Sequence, residues 1–324
     1  MNKILIVIVL FVFVGCISDR NDKMSITINS RKTLDIPSGS GIIMANNEFL
    51  IVGDDTPWLF ALNNNNIVTK RSLISISGKD MPYRADKSQK LDFEDISYVE
   101  YDNNEYIFVI SSGSKAVFRD TVFILDITSP NRVITKKNIR PLFDKMTETA
   151  GIVSINIEGL TSDSETIYIA HRGNHDKNVI FSFSIASLVE YILKDGDVPQ
   201  FSMQIIELPA PDNLKAGFSA LEYVEELKSL LFTASLESSP DSYSDGEVLG
   251  SYIGCLSCDK PDKMQIKMLK NSDNIPVKTK LEGITLARIN EPVNTLGVVC
   301  VSDNDDGKTE LLSIEIFLST QKSF

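Results

Sequence analysis

Three glutamates head the same short phrase. Ile157-Glu158-Gly159-Leu160-Thr161 returns as Leu281-Glu282-Gly283-Ile284-Thr285, and Glu94-Asp95-Ile96-Ser97 is a looser version. Each phrase leads into an apolar run and then a polar loop. The loops are His171-Arg172-Gly173-Asn174, Ser302-Asp303-Asn304-Asp305 and Ser111-Ser112-Gly113. Two further units open on serine: Ser40-Gly41-Ile42, with Asp54 and Asp55 in its loop, and Ser219-Ala220-Leu221-Glu222, with Glu237. If corresponding positions share a place in space, Glu94, Glu158 and Glu282 converge, and the loop acids Asp54, Asp55 and Asp303 stand close by. Hard oxygen ligands gathered in this way suit Ca²⁺ or Mg²⁺. Glu158, Glu282, Glu94 and Asp303 are the candidate metal ligands. Crowded acids without compensating charge repel one another, which favours a cation. The competing account is solvation of loop ends, because acids and Asn are at home in turns.

Both histidines of the chain, His171 and His175, fall in one loop with Arg172 and Asn174. An imidazole can move a proton and a guanidinium can hold an anion, so His171 and Arg172 are the candidate catalytic pair. A polar surface turn explains the same residues. Ser302 to Gly307 imitates an EF-hand loop, but Ser302 and Ser313 stand where that loop needs acids; Asp305-Asp306-Gly307-Lys308 reads as a hairpin turn. Nucleophile-elbow, P-loop and zinc patterns are missing from the sequence. Cys255 and Cys258 form a lone C-x-x-C, read either as a local disulfide or as two thiols, and Cys300 sits in an apolar strand as core.

These residues need a scaffold that repeats. Every unit has a small or acidic opener, an apolar strand, a polar loop, a second apolar strand and usually a further amphipathic one, such as Val133–Ile139 or Phe201–Leu208. About four strands per unit is the blade of a β-propeller. The openers align on Gly41, Asp95, Gly159, Ala220 and Gly283. The last unit has room for three strands before Phe324, while Met24–Ile28 and Thr33–Ile36 are free strand pieces at the other end. An N-terminal strand completing the last blade would remove the exposed edge. The expected fold is all-β, a propeller of five four-stranded blades closed by the N-terminal strand; a sixth blade in a divergent loop is the alternative. Ser184–Lys194 carries apolar residues at helical spacing and ends near Gly196, which predicts a short helix on the outer rim.

The start of the chain is an address. Met1-Asn2-Lys3 precedes an unbroken apolar run from Ile4 to Val14, too short to span a bilayer comfortably and suited to a signal peptide. The run ends in Phe13-Val14-Gly15-Cys16, which resembles the bacterial lipobox apart from Phe13; an ordinary secretion signal with an incidental Cys is the alternative. The lipobox resemblance implies a signal peptide over 1–15, acylated Cys16, a tether over 16–23 and one domain over 24–324, held to the lipid bilayer of the cell envelope. A net charge of −12 and the lack of a basic run argue against nucleic acid as a partner. A composition of 43% hydrophobic and 23% charged residues is that of an ordinary globular protein.

The repeated E-G-[IL]-[TS] opener, with the following strand ending in a polar or acidic loop, resembles the phytase-like (esterase-like) propellers of bacteria, and within them a group of bacterial lipoproteins. The resemblance spans most of residues 38–318. It implies a functional face at the channel mouth and a calcium-dependent phosphoester or ester hydrolase. Glu158, Glu282 and Glu94 match the opener; Ser40 and Ser219 depart from it. Two functions follow: a membrane-anchored propeller that binds a small ligand or envelope partner at its mouth, or a hydrolase that uses the acidic channel.

Overall fold

The structure is a computed structural model that describes residues 24–63, 67–73, 83–86, 88, 90–128, 134–238, 246–260, 263–290, 294–303 and 307–319. The signal peptide, Cys16 and the tether, with Asn304, Asp305 and Asp306, lie outside the described residues.

Five antiparallel sheets of four strands each follow one another along the chain. The opening strand β1 (Met24–Leu34) belongs to the last of them. The first blade is β2 (Gly39–Ala45), β3 (Glu48–Gly53), β4 (Trp58–Leu62) and β5 (Val68–Leu73). The second is β6 (Phe93–Tyr101), β7 (Asn104–Ser111), β8 (Thr121–Asp126) and β9 (Ile134–Asn138), followed by helix α1 (Arg140–Ala150). The third is β10 (Ile157–Ser162), β11 (Thr166–His171) and β12 (Asn178–Ser184), then helix α2 (Ile185–Leu193), then β13 (Ser202–Ile206). The fourth is β14 (Gly217–Val224), β15 (Ser229–Ser238), β16 (Glu247–Ser257) and β17 (Met264–Met268). The fifth is β18 (Lys280–Asn290), β19 (Thr295–Asp303) and β20 (Thr309–Leu318), with β1 on its outer edge.

β1 pairs antiparallel with β20 from Met24↔Leu318 to Leu34↔Thr309. The ring is therefore closed as expected, and the described residues hold five blades rather than six. The two expected N-terminal pieces are one continuous strand, bent by a bulge between Ile28 and Ser30. The helix read at Ser184–Lys194 is α2, which buries Ile185, Leu188, Val189, Tyr191 and Ile192. Helix α1 was not expected. It buries Leu142, Phe143, Met146 and Ala150, carries a proline in its first turn and stops at Gly151 in the left-handed conformation.

The innermost strands β2, β6, β10, β14 and β18 share one irregularity. Each has a β-bulge at its start, skipping Ser40, Glu94, Glu158, Ser219 and Glu282 respectively. The residue after each bulge is Gly41, Asp95, Gly159, Ala220 or Gly283, which is the alignment read from the sequence. In every blade but the second that residue is small, because neighbouring strands approach closely there. A Cβ on Gly41 would stand 2.7 Å from the Asp95 Cα, and one on Gly159 would meet the Leu221 backbone nitrogen at 3.1 Å. The next position (Ile42, Ile96, Leu160, Leu221, Ile284) is buried between blades.

The position after that forms a clasp across three seams. Thr161 Oγ1 accepts the Tyr223 N–H at 2.9 Å, Glu222 accepts the Leu286 N–H at 2.8 Å, and Thr285 Oγ1 accepts the Met44 N–H at 3.1 Å. At the second-to-third seam Asp95 does similar work one pleat earlier, accepting from Leu160 N–H at 2.7 Å. Asp95 and Glu222 thus face seams between blades, and their carboxyls are spent on structure. In the third, fourth and fifth blades the opener phrase is a construction rule: a bulged first residue, a small second for close approach, an apolar third for the core and a hydrogen-bonding fourth.

Candidate functional site at the channel mouth

A bulge leaves its extra residue out of the ladder and re-aims its side chain. The two serines so displaced are tied into the frame. Ser40 donates to the Phe93 carbonyl at 2.5 Å, and Ser219 shares a hydrogen bond with Thr233 at 2.9 Å. The three glutamates are left as the ionisable groups of the bulge ring. Burial and the carboxylates of Asp92, Glu158, Asp54 and Glu282 raise the Glu94 pKa well above the ordinary carboxylate range. Glu94, Glu158 and Glu282 thus stand at equivalent bulges of three inner strands, close enough for their charges to act on one another, with Asp54 near them.

These acids are compensated by the protein, contrary to the expectation from sequence. The residue two places before a bulge lies on the same side of the strand and supplies a partner: Asn156 Nδ2 donates to Glu158 at 2.7 Å, and Lys280 pairs with Glu282. Arg172 lies between the third and fourth blades. Its guanidinium meets Glu158 at 3.3 Å, Ser235 Oγ at 2.9 Å and Glu237 at 2.5 Å. Against the cost of its burial, Glu282 and Glu237 raise Lys280 well above the usual lysine range, so it stays charged. On the other side of the mouth Lys90 binds Asp54 at 2.5 Å, Asp92 at 2.9 Å and Asp55 at 3.7 Å. Arg84 holds Asp55 at 2.5 Å and Arg119 holds Asp92 at 3.0 Å. Burial still pushes the Asp54 carboxyl up to about 7. Asp303, 8% exposed, adds negative charge near Glu282 and Arg84.

The fit to a calcium ion is poor. Among the described residues no three His, Cys, Asp or Glu side chains are grouped to hold a metal. Of the four candidate ligands, Glu158 and Glu282 already face Arg172 and Lys280, so the neutralising charge expected from an ion comes from the protein. Among the described residues, Glu94 has no hydrogen-bonded or ion-paired side-chain partner and is half-buried.

His171 and Arg172 have separate partners. His171 ends β11, is 2% exposed, and its Nδ1 lies 3.0 Å from the Asn156 backbone nitrogen. Burial lowers its pKa to about 4, so the ring is neutral at physiological pH. Its Nε2 is buried without a partner among the described residues. Asn174 is half-buried beside Gly217, and His175 is exposed. Cys255 and Cys258 are both free thiols, the first buried and pushed up to about 11 by that burial, the second exposed. Cys300 is a buried thiol, as the strand pattern implied.

Five four-stranded blades around an ionisable axis define a five-bladed β-propeller with a charged mouth. The chain belongs to the family described as "Family of unknown function (DUF6929)", whose profile matches residues 35–316. A comparison with curated proteins found no match. Among solved structures the chain is similar to the glutaminyl cyclase of Myxococcus xanthus, at 9% identity over 91% of this chain and 97% of that one, with a TM-score of 0.48. It is also similar to the α-L-arabinofuranosidase PaAbf62A of Podospora anserina, at 9% identity over 86% and 91%, TM-score 0.49. A third is a DUF4221-family member from Bacteroides vulgatus, at 9% identity over 92% and 100%, TM-score 0.40. At such identities and scores these likenesses carry no functional meaning.

Proposed function

We propose that the protein is a cell-envelope binding propeller, anchored through acylated Cys16, whose channel mouth takes a small polar ligand. One observation carries this reading: the bulges of three blades turn Glu94, Glu158 and Glu282 toward one axis, and Glu94 alone of the three has no partner among the described residues. A carboxyl held towards its neutral form in a ring of salt-bridged acids can donate to a neutral, hydroxyl-bearing ligand or give up its proton to an amine. Anions are disfavoured, because Arg172 and Lys280 are already engaged by carboxylates. The anchor adds an orientation. β1 begins at Met24 on the face opposite the mouth, since Met24 pairs with the far end of β20. A tether leaving there would point the mouth away from the bilayer.

The hydrolase reading draws on a different observation. Glu94 is held towards its neutral form, while Glu158 sits against Arg172, and two carboxyls in contrasting surroundings are the raw material of acid–base chemistry. In the resemblance to phytase-like propellers this hydrolysis depends on calcium.

Thermal unfolding of the full-length protein separates the two. A neutral polyol or amine that raises the melting temperature, with the rise abolished by Glu94→Gln, supports the binding site. A calcium-dependent rise, together with phosphoester or ester turnover lost on chelation, would overturn it in favour of the hydrolase.

A further inference from the structure

The propeller carries a second concavity on the face away from the mouth. It is a cleft of about 1130 Å³ around the lower rim of the third blade. It runs from Tyr101 and Phe183, on the side of the second blade, to Leu230, Leu256 and Cys258 of the fourth.

The alternation of β12 explains why space is left here. Phe181 and Phe183 turn into the core shared with the second blade, where both lie against Phe201. The residue between them, Ser182, faces the other way and pairs with Ser202 of β13, so two small side chains stand where a packed seam would have large ones. Nearer the mouth the same seam is filled by Phe218, Phe232 and Leu221. The floor of the cleft is apolar, with Ile180, Leu230 and Leu256 each no more than 3% exposed. Tyr168 forms a wall, held upright by its hydroxyl bond to Asp163 at 2.8 Å and by stacking on Tyr223 with ring centroids 6.2 Å apart.

The charged side chains that line this cleft are acidic. Glu100, Asp102 and Glu165, on the hairpin tips of the second and third blades, line it, and among the described residues its lining includes no Lys or Arg. Lys194 approaches one end but is paired with Glu190 at 3.2 Å. An anionic ligand would meet carboxylates on the lining. A cation would find carboxylates together with the faces of Tyr101 and Tyr168, both favourable surroundings for an ammonium group. The volume is in the range of small-molecule sites.

We propose that this cleft binds an aliphatic amine, with its ammonium group among Glu100, Asp102, Glu165 and the tyrosine rings and its hydrocarbon body on Ile180, Leu230 and Leu256. The site is separate from the mouth and independent of the function proposed for it.

Cys258 supplies the readout, because it is an exposed thiol in the cleft while Cys255 and Cys300 are buried. The full-length protein is treated with a maleimide, and modification of the Cys258 peptide is followed by mass spectrometry with hexylamine, spermidine, hexanol or hexanoate present. At twice its dissociation constant a bound amine slows modification about threefold. Hexylamine protects and hexanoate does not. Asp102→Asn with Glu165→Gln weakens the protection, and Ser202→Trp, an exposed position that fills the cleft, removes it without lowering the melting temperature. Equal protection by hexanoate or hexanol would remove the ammonium from the proposal. Neither protection nor calorimetric heat from any amine would overturn it altogether.

Discussion

Thr285 Oγ1 accepts the backbone N–H of Met44 at 3.1 Å and donates to Glu222 at 3.0 Å, so one hydroxyl ties the fifth blade to both of its neighbours. The Met44 N–H lies on the inner strand of the first blade, where no further strand is available to receive it. Thr285→Val keeps the shape and removes both bonds. The expected cost is about 1–3 kcal/mol, because a donor is stranded at a packed seam, and the melting temperature falls by a few degrees. Thr285→Ser restores most of it. A valine variant as stable as the parent would mean that the clasp contributes nothing.

Glu222 sits in the same network and makes the seam sensitive to pH. Burial raises its pKa to about 7, against the ordinary glutamate value, which the unfolded chain keeps. A group with a raised folded pKa binds its proton more tightly when folded. Its stabilising share is fully present below the unfolded value and is lost as pH rises through about 7. The stability difference between the parent and Glu222→Gln is therefore expected to drift against the parent from pH 5 to pH 8, by at most about 3 kcal/mol. Denaturant unfolding at four pH values checks this; parallel curves for the two proteins would count against it.

The close approach of inner strands predicts a contrast between two glycines. An alanine Cβ at Gly41 would lie 2.7 Å from the Asp95 Cα and 2.9 Å from the Ile96 nitrogen, both backbone atoms that cannot move alone. At Gly196 the nearest atom would be 3.5 Å away. Gly41→Ala should therefore cost about 1–3 kcal/mol, as overpacking does, and Gly196→Ala should be nearly silent. Equal melting temperatures for the two variants would contradict the packing described.

Arg172 bridges Glu158 and Glu237 with both carboxylates nearly buried. Arg172→Met leaves them without their shared cation, a loss of about 3–5 kcal/mol for a broken buried pair. Adding Glu237→Gln should recover part of it. If the double variant is no more stable than the single one, the bridge is not what Arg172 contributes.

His171 gives a spectroscopic prediction. With its pKa lowered to about 4 by burial, the imidazole stays neutral across the physiological range. Its ring proton resonances should therefore not shift between pH 8 and pH 5.5. A titration centred near 6.5 would show that the ring is solvated and would reopen its candidacy as a general base.

Much of the frame was legible because a propeller repeats its geometry, and the sequence repeats with it. Gly41, Asp95, Gly159, Ala220 and Gly283 could be aligned by eye, and each proves to follow a bulge. What the phrase does at its fourth residue was not legible, since Thr161 acts on Tyr223 of another blade rather than on anything near it in sequence. The charge balance of the mouth was missed for the same reason: Arg172 meets Glu237, 65 residues away. A local signal did exist in Lys280 and Glu282, and in Asn156 and Glu158, because residues two apart share one side of a strand. Helix α1 has local signals in Pro141, in apolar Leu142, Phe143 and Met146, and in Gly151, but it interrupts a chain whose repeat is otherwise one of strands.

The pairing of β1 with β20 fixes the order in which the molecule can be completed. Strand β1 finds its partner only when β20 arrives, so four blades must wait beside an unsealed fifth. Closure across nearly the whole chain is a contact of the longest range available, the kind that slows folding. Until it happens, β20 is an open edge able to accept a strand from another molecule. Loss of the segment from Met24 to Leu34 would therefore show first as self-association of an otherwise folded ring, and only second as lost stability.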